Sequence, residues 1–263
     1  MKLNTNIASW GMGLVLLLSS CHTTKNAMVA SAPSYHLADA SFQRIEIDAS
    51  LDAAPNPHAV DLLNYYKKKV DEATSPIIGK SARSMKSKFP ESELSNLVSD
   101  ALRWGAQQYL NEPVDIAVLN FGGIRTTLPE GDVTIGNIIE ITPFENMIYV
   151  YHVKGDAILR LFQQLCEIKD GALSGAQIVC KGNQLQSALV GGETVNPDKT
   201  YTLAALDYIA EGNDDFSEFK QWKNPIVIKD ITMRHIFLDF VEEQTRQGKV
   251  LDSKIEGRFT IEK

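Results

Sequence analysis

The chain has 263 residues, 44% hydrophobic and 22% charged, with 17 glycines and 10 prolines. That balance belongs to a globular protein and argues against a collagen-like chain, a disordered tail protein or a multi-span membrane protein. The formal charge is −7 and the longest basic run is Lys67-Lys68-Lys69. A nucleic-acid partner, which needs clustered cations to displace counterions, is therefore not expected. Three cysteines are too few for a disulfide scaffold.

Lys2 precedes an apolar stretch from Ile7 to Leu18, shorter than the ~20 apolar residues a spanning helix needs. A basic start, an apolar centre and small residues after it describe a secretory signal, predicted over 1–20. Leu18-Ser19-Ser20-Cys21 resembles the bacterial lipobox, in which the cysteine thiol is lipidated and becomes the first mature residue. The alternative is a plain secretory signal with an incidental cysteine. No Asp follows Cys21, so the expected location is the bacterial cell envelope, lipid-anchored at the outer membrane and facing the periplasm. Residues 21–40 are Thr-, Ser-, Ala- and Asn-rich and read as a flexible tether. Cys166 and Cys180 remain. Buried free thiols are the expected state, with a bridge left open in an oxidising compartment.

Residues 42–47 alternate and predict a first strand. Pro57 opens a predicted helix to about Ala73, with Val60, Leu63 and Val70 on one face. A short strand is expected at Ile77-Ile78. From Glu91 to Tyr109, Leu94, Leu97, Val98, Ala101 and Leu102 make the stripe of a core-facing helix. Ile116–Leu119 is a short buried strand. A helical segment from Thr134 to Glu140, a strand from Met147 to Val153 and a helix from Gly155 to about Glu167 follow. Strands are predicted near 176–180, 184–190 and 200–206. The last helix is expected after Asp230, read as its N-cap, and to end at Gly248. Arg258–Ile261 closes the chain as a strand. Helices and strands mix without a strict βαβ repeat, so the fold class is α+β, a single layered α/β domain with a mixed sheet over 41–263.

Four patches carry chemistry. Asn120-Phe121-Gly122-Gly123-Ile124-Arg125 leaves a buried strand; paired glycines permit positive φ or close backbone approach, and an Arg beyond them can offer a planar fork to phosphate. Pro143-Phe144-Glu145-Asn146 puts an aromatic ring and an amide in a loop. Asp207-Tyr208 through Asp214-Asp215 adds a second ring and a carboxylate. Ser92 and Ser95 stand at a helix entry, where serines also serve as caps. Each alone has a plain structural reading: a turn, a buried loop Phe, a polar turn, a capped helix.

In order and spacing, the four patches resemble the C-terminal, substrate-recognising domain of the secreted 5′-nucleotidases, UDP-sugar hydrolases and 2′,3′-cyclic phosphodiesterases. The family's E-x-x-x-x-N-L-x-x-D-A is matched by Glu91 to Ala101 and its N-x-G-G-I-R by Asn120 to Arg125. Its P-F-x-N is matched by Pro143 to Asn146, G-x-x-[IL] by Gly155 to Ile158, and the final aromatic and Asp by Tyr208 and Asp214. The resemblance implies the family's fold and a nucleotide cleft. Phe144 and Tyr208 would clamp a base, Asn120 would sit beside the nucleoside, and Asn146 would hold the base or order its loop. Asp214 would accept from ribose hydroxyls, and Arg125 would pair with phosphate. Gly122 and Gly123 would give close approach, and Gly171 would line the pocket. Three departures stand out. Tyr208 replaces a frequent Phe. Asn213 and Asp215 take turn positions usually given to glycine. Two family arginines fall on Ser84 and Lys88.

Family catalysis uses two metal ions on D-x-H and G-N-H-[ED] motifs. The five histidines here, His22, His36, His58, His152 and His235, stand in no such setting. No cofactor is expected on this chain, and a divalent metal pair is expected on a partner chain. The leading expectation is a nucleotide-recognition domain completed by a separate metallophosphatase in nucleotide catabolism. Two alternatives are a stand-alone nucleotide-binding lipoprotein without hydrolysis and a structural envelope protein.

Overall fold

The structure is a computed structural model and describes residues 39–53 and 55–262. The predicted signal, Cys21 and most of the predicted tether lie outside the described residues. The chain divides into two units, Met1–Pro55 and Asn56–Lys263. In the first unit, residues 42–47 form no strand, correcting the alternation reading: Phe42, Ile45 and Ile47 stay exposed. Alternation marks a strand only when a neighbouring strand takes its hydrogen bonds and a layer covers its apolar face, and this segment has neither among the described residues.

The second unit runs α1 (Pro57–Thr74), β1 (Ile77–Ser81), α2 (Glu93–Leu110), β2 (Ile116–Leu119), β3 (Gly131–Thr134), α3 (Ile135–Ile141), β4 (Met147–Lys154) and α4 (Gly155–Ile168). It continues with β5 (Ala172–Ser174), β6 (Ala176–Lys181), β7 (Gln184–Val190), β8 (Glu193–Thr194), β9 (Thr200–Leu206), α5 (Asp207–Ala210), β10 (Ile226–Thr232), α6 (Met233–Arg246) and β11 (Phe259–Glu262). A central five-stranded sheet has the order β10-β4-β9-β2-β5, a second sheet the order β11-β6-β7-β8, and β1 pairs with β3. The mixed α/β architecture agrees with the sequence reading.

The central sheet's pairing determines where the loops emerge. β2 and β9 are parallel, with Val118 opposite Ala205. β4 runs antiparallel to β9, with Ile148 opposite Leu206. The loops leaving β2 and β9 and the loop entering β4 therefore open at one edge. In open α/β sheets the crevice beyond the carboxyl ends of the strands is the usual ligand site.

α2 forms as its sequence dictates. Ser92 and Ser95 make a reciprocal capping box, Ser95 N to Ser92 Oγ at 3.3 Å and Ser92 N to Ser95 Oγ at 3.0 Å. Its stripe of Leu94, Leu97, Val98, Ala101 and Leu102 is buried, each leucine contributing about 1.5–3 kcal/mol by the usual area scale. α1 is the contrary case. Asn56 caps it and Pro57 opens it, but none of its residues is buried, and Val60, Leu63 and Val70 face solvent. Its amphipathic pattern has no cover among the described residues.

Further readings are corrected. α6 begins after Thr232, whose side chain accepts from His235 N. Asp230 lies instead in β10 at φ 61°, beside a register shift in that strand, a left-handed backbone that Asp tolerates better than most residues. Cys166 and Cys180 are bridged, with Cα atoms 5.7 Å apart and both residues buried. The bridge ties α4 to β6, and closing a loop of this size is worth roughly 3 kcal/mol in the chain-entropy picture.

Candidate nucleotide-sized cleft

At the shared edge, Asn120, Gly122, Gly123, Arg125, Phe144, Asn146, Tyr208 and Asp214 line one cleft of about 450 Å³. Three segments distant in sequence meet there. Phe144 is 48% exposed and Tyr208 40%, so two open rings share the cleft with the polar side chains of Asn120, Asn146 and Asp214. A larger groove, about 650 Å³, lies at the opposite ends of β2 and β9 beside Asp115 and Tyr201. Tyr201 is buried there, which leaves that groove no open ring to stack on.

Asp214 is the hub of these polar side chains. Asn120, itself buried at the end of β2, donates from Nδ2 to Asp214 Oδ2 at 2.7 Å. The Tyr208 hydroxyl donates to Asp214 Oδ1 at 2.9 Å. That hydrogen bond raises the Tyr208 phenol above its ordinary range, because losing the proton would set two negative oxygens together. The turn carrying the carboxylate has positive φ at Gly212 (83°), Asp214 (50°) and Asp215 (63°). The sequence placed this demand on Asn213 and Asp215; it falls on Asp214 and Asp215 instead.

The paired glycines serve close approach rather than positive φ. The loop from Phe121 to Gly123 winds as one short 3-10 turn over Asn120. A Cβ on Gly122 would lie 3.2 Å from Asn120 Nδ2, and one on Gly123 would lie 3.1 Å from Asn120 Oδ1. Larger side chains would push aside the amide that holds Asp214. Arg125 then donates from Nη1 to Gly122 O at 3.0 Å, its guanidinium 5.8 Å from the Phe144 ring centroid, within cation–π range.

Gly171 does not line the cleft. It is buried at φ 118°, and its N–H donates to Asp170 Oδ1 at 2.7 Å. Asp170 is the residue that matters, and the sequence reading missed it: the same oxygen accepts from Phe121 N at 2.8 Å, anchoring the glycine loop from below. Burial pushes the Asp170 carboxyl up, and the two N–H donors pull it partly back. Asp207 opens the same sequence patch as Tyr208 but has no role in the sequence reading. It accepts from Asn146 Nδ2, Met147 N and Tyr208 N. Its only sequence signal is its place at a strand end beside an aromatic.

The helix-entry motif has another task. Glu91 accepts from Asn96 Nδ2, Glu256 N and Arg258 N, and Asp100 receives Arg258 in a two-point ion pair at 2.7 and 2.8 Å. These residues fasten the C-terminal segment to α2. Ser84 and Lys88 do not line the cleft, and the nearby Arg83 pairs with Asp252. Among the described residues, no group of three His, Cys, Asp or Glu could hold a metal ion.

Known proteins resemble this chain over the same region. Residues 69–221 match the family described as 5′-nucleotidase, C-terminal domain. The trifunctional nucleotide phosphoesterase protein YfkN of Bacillus subtilis is 23% identical over 225 residues, 78% of this chain and 15% of that protein. Cell wall protein Lmo0130 of Listeria monocytogenes is 27% identical over 185 residues, 64% of this chain and 23% of that protein. A solved 5′-nucleotidase precursor from Thermus thermophilus has the same fold, with a TM-score of 0.65 at 24% identity over 80% of this chain and 44% of that one. The chain thus spans under a quarter of the length of these two curated relatives and under half of the solved one.

Proposed function

Because the chain belongs to the family of 5′-nucleotidase C-terminal domains, we propose that its cleft recognises nucleosides and nucleotides for a phosphohydrolase reaction. The observation that carries this reading is the pair of open rings, Phe144 and Tyr208, sharing the cleft with a carboxylate held by Asn120. A flat base fits between two aromatic faces, and such stacking is worth about 1–3 kcal/mol per base. Asp214 accepts hydrogen bonds from ribose hydroxyls through the lone pairs left beside Asn120 and Tyr208. Among the described residues Arg125 donates only from Nη1, to Gly122 O, and its other nitrogens are offered to a phosphate. Asn146 orders the Phe144 loop.

Hydrolysis needs an activated water and neutralised phosphate charge, which a metal pair supplies when bound. None of the 263 residues forms a D-x-H or N-H-[DE] motif, and we assign that pair to a separate metallophosphatase chain. The site of action is the cell envelope. The cell-wall description of one relative and the Cys166–Cys180 bridge support this. Lipidation at Cys21 and outer-membrane attachment belong to the same proposal.

Calorimetry with AMP, adenosine and UDP-glucose tests the recognition step. Binding by the wild-type chain, weakened at least tenfold in Phe144→Ala and Tyr208→Ala, is expected. No binding, or binding that neither substitution changes, overturns it. Turnover of AMP by the purified chain, sensitive to chelator, would contradict the separate-chain assignment.

A further inference from the structure

Asp207 binds the backbone of Tyr208 and the chain just after Phe144. It is the first residue after β9, and its half-buried carboxylate gathers three donors. Oδ1 accepts from Asn146 Nδ2 at 2.9 Å and from Tyr208 N at 2.7 Å, and Oδ2 accepts from Met147 N at 3.0 Å. Asn146 ends the loop that carries Phe144 and Met147 opens β4; Tyr208 carries the second ring. One side chain therefore joins two segments 61 residues apart in sequence. The loop is held on its other side by α6, where Met233 N donates to Asn146 O at 2.9 Å. The amide nitrogen of Asn146 is thereby turned to Asp207 rather than to a ligand.

We infer that Asp207 is a positioning residue that sets the gap between Phe144 and Tyr208, and with it the cleft's preference for a base-bearing ligand over a bare sugar phosphate. The inference rests on the nucleotide reading of the cleft. Stacking is short-ranged: a misfit of about 0.5–1 Å forfeits roughly a quarter to a half of the contact attraction. A link between the two ring-bearing segments therefore decides base affinity without touching the base. The carboxylate form matters as well. An ionised acceptor holds backbone N–H groups more strongly than a neutral one. An Asn at this position would keep one acceptor and turn its NH₂ toward the Met147 N–H, donor against donor.

The test uses the full chain and NMR titration, which reads millimolar affinities, with adenosine and ribose 5-phosphate as probes. Asp207→Ala should weaken adenosine about tenfold or more and leave ribose 5-phosphate within about twofold. Asp207→Asn should fall between wild type and Ala. Asn146→Ala should also weaken adenosine selectively, and Asp207→Ala with Asn146→Ala should be no worse than Asp207→Ala, because one link is being cut twice. If Asp207→Ala does not fold, Asp207→Asn and Asn146→Ala decide the matter. Wild-type affinity for adenosine in these variants, or equal loss for both ligands, overturns the inference while leaving the cleft reading intact. No adenosine binding by the wild-type chain overturns both.

Discussion

Two acidic side chains organise this domain, and their surroundings differ. Asp100 meets Arg258, whose side chain is 11% exposed, in a two-point ion pair that Glu256 completes at 2.8 Å. Burial alone would lower the Arg258 pKa, but the two carboxylates more than offset this and hold it above its ordinary value. Asp214 is held by two neutral donors, Asn120 and Tyr208, and faces an open cleft. In the first network both carboxylates face one guanidinium, whose donors are spent on the protein, although Asp100, Glu256 and Arg258 also line a groove of about 340 Å³. The second is left with a carboxylate no protein cation pairs among the described residues, beside two uncovered rings. The first network fastens the C-terminal segment to α2; the second leaves carboxylate lone pairs without a protein cation among the described residues.

The sharpest way to break this contrast is Arg258→Ala. Removing one partner of a buried ion pair costs about 3–5 kcal/mol. Asp100 is itself 35% exposed, so water screens part of the loss, and about 2–4 kcal/mol is expected. Thermal unfolding should then fall by roughly 5–15 °C, with adenosine affinity in the surviving fold little changed. A midpoint within about 2 °C of wild type would show that the C-terminal segment is not held by this pair.

Phe144→Ala should behave oppositely. The ring is half exposed, so stability should stay within about 1 kcal/mol while base binding is lost. Denaturant unfolding alongside calorimetry separates the two effects. A large stability loss without a binding change would make Phe144 a packing residue.

Asp214→Asn probes the hydrogen bond from Tyr208 and should barely move the unfolding midpoint. The folded phenol titrates above 10.0 because of Asp214. The stabilisation from this bond is therefore present below pH 10.0 and is lost as pH rises through the raised folded value. In Asp214→Asn the Tyr208 titration, followed by ultraviolet difference absorbance against Tyr208→Phe, should move down toward 10.0. An unchanged titration would mean the pair does not form in solution. The smallest expected effect is Leu63→Ala on α1, where the side chain is 67% exposed: within about 0.5 kcal/mol of wild type.

The parts of the fold legible in the sequence are those whose pattern and packing agree. The stripe of α2 and the uniformly apolar β2 could be read because their side chains are covered where the period says they should be. α1 and residues 42–47 have similar periods but no covering layer, and a sequence cannot say whether a partner surface exists. β5 has only three residues, and β10 contains Lys229 and Asp230 at a distorted register, too short or too polar for a strand pattern to show. In the cleft, the rings, the glycine pair and Asp214 are legible only through the resemblance of their motifs to a known family. The carboxylates that hold their loops are not. Asp170 and Asp207 act on backbone N–H groups brought near only by folding, and an acidic residue at a turn carries no mark of that duty. Gly171, which the family resemblance places in the pocket, has a positive φ and donates its N–H to Asp170.

The central claim is that the cleft receives a base between Phe144 and Tyr208. A crystal structure of the chain soaked with AMP tests this most directly. The account predicts the base stacked between those two rings, ribose hydroxyls on Asp214 and the phosphate on the Arg125 side. Nucleotide bound instead in the groove beside Asp115 and Tyr201, with the two rings left bare, would contradict it.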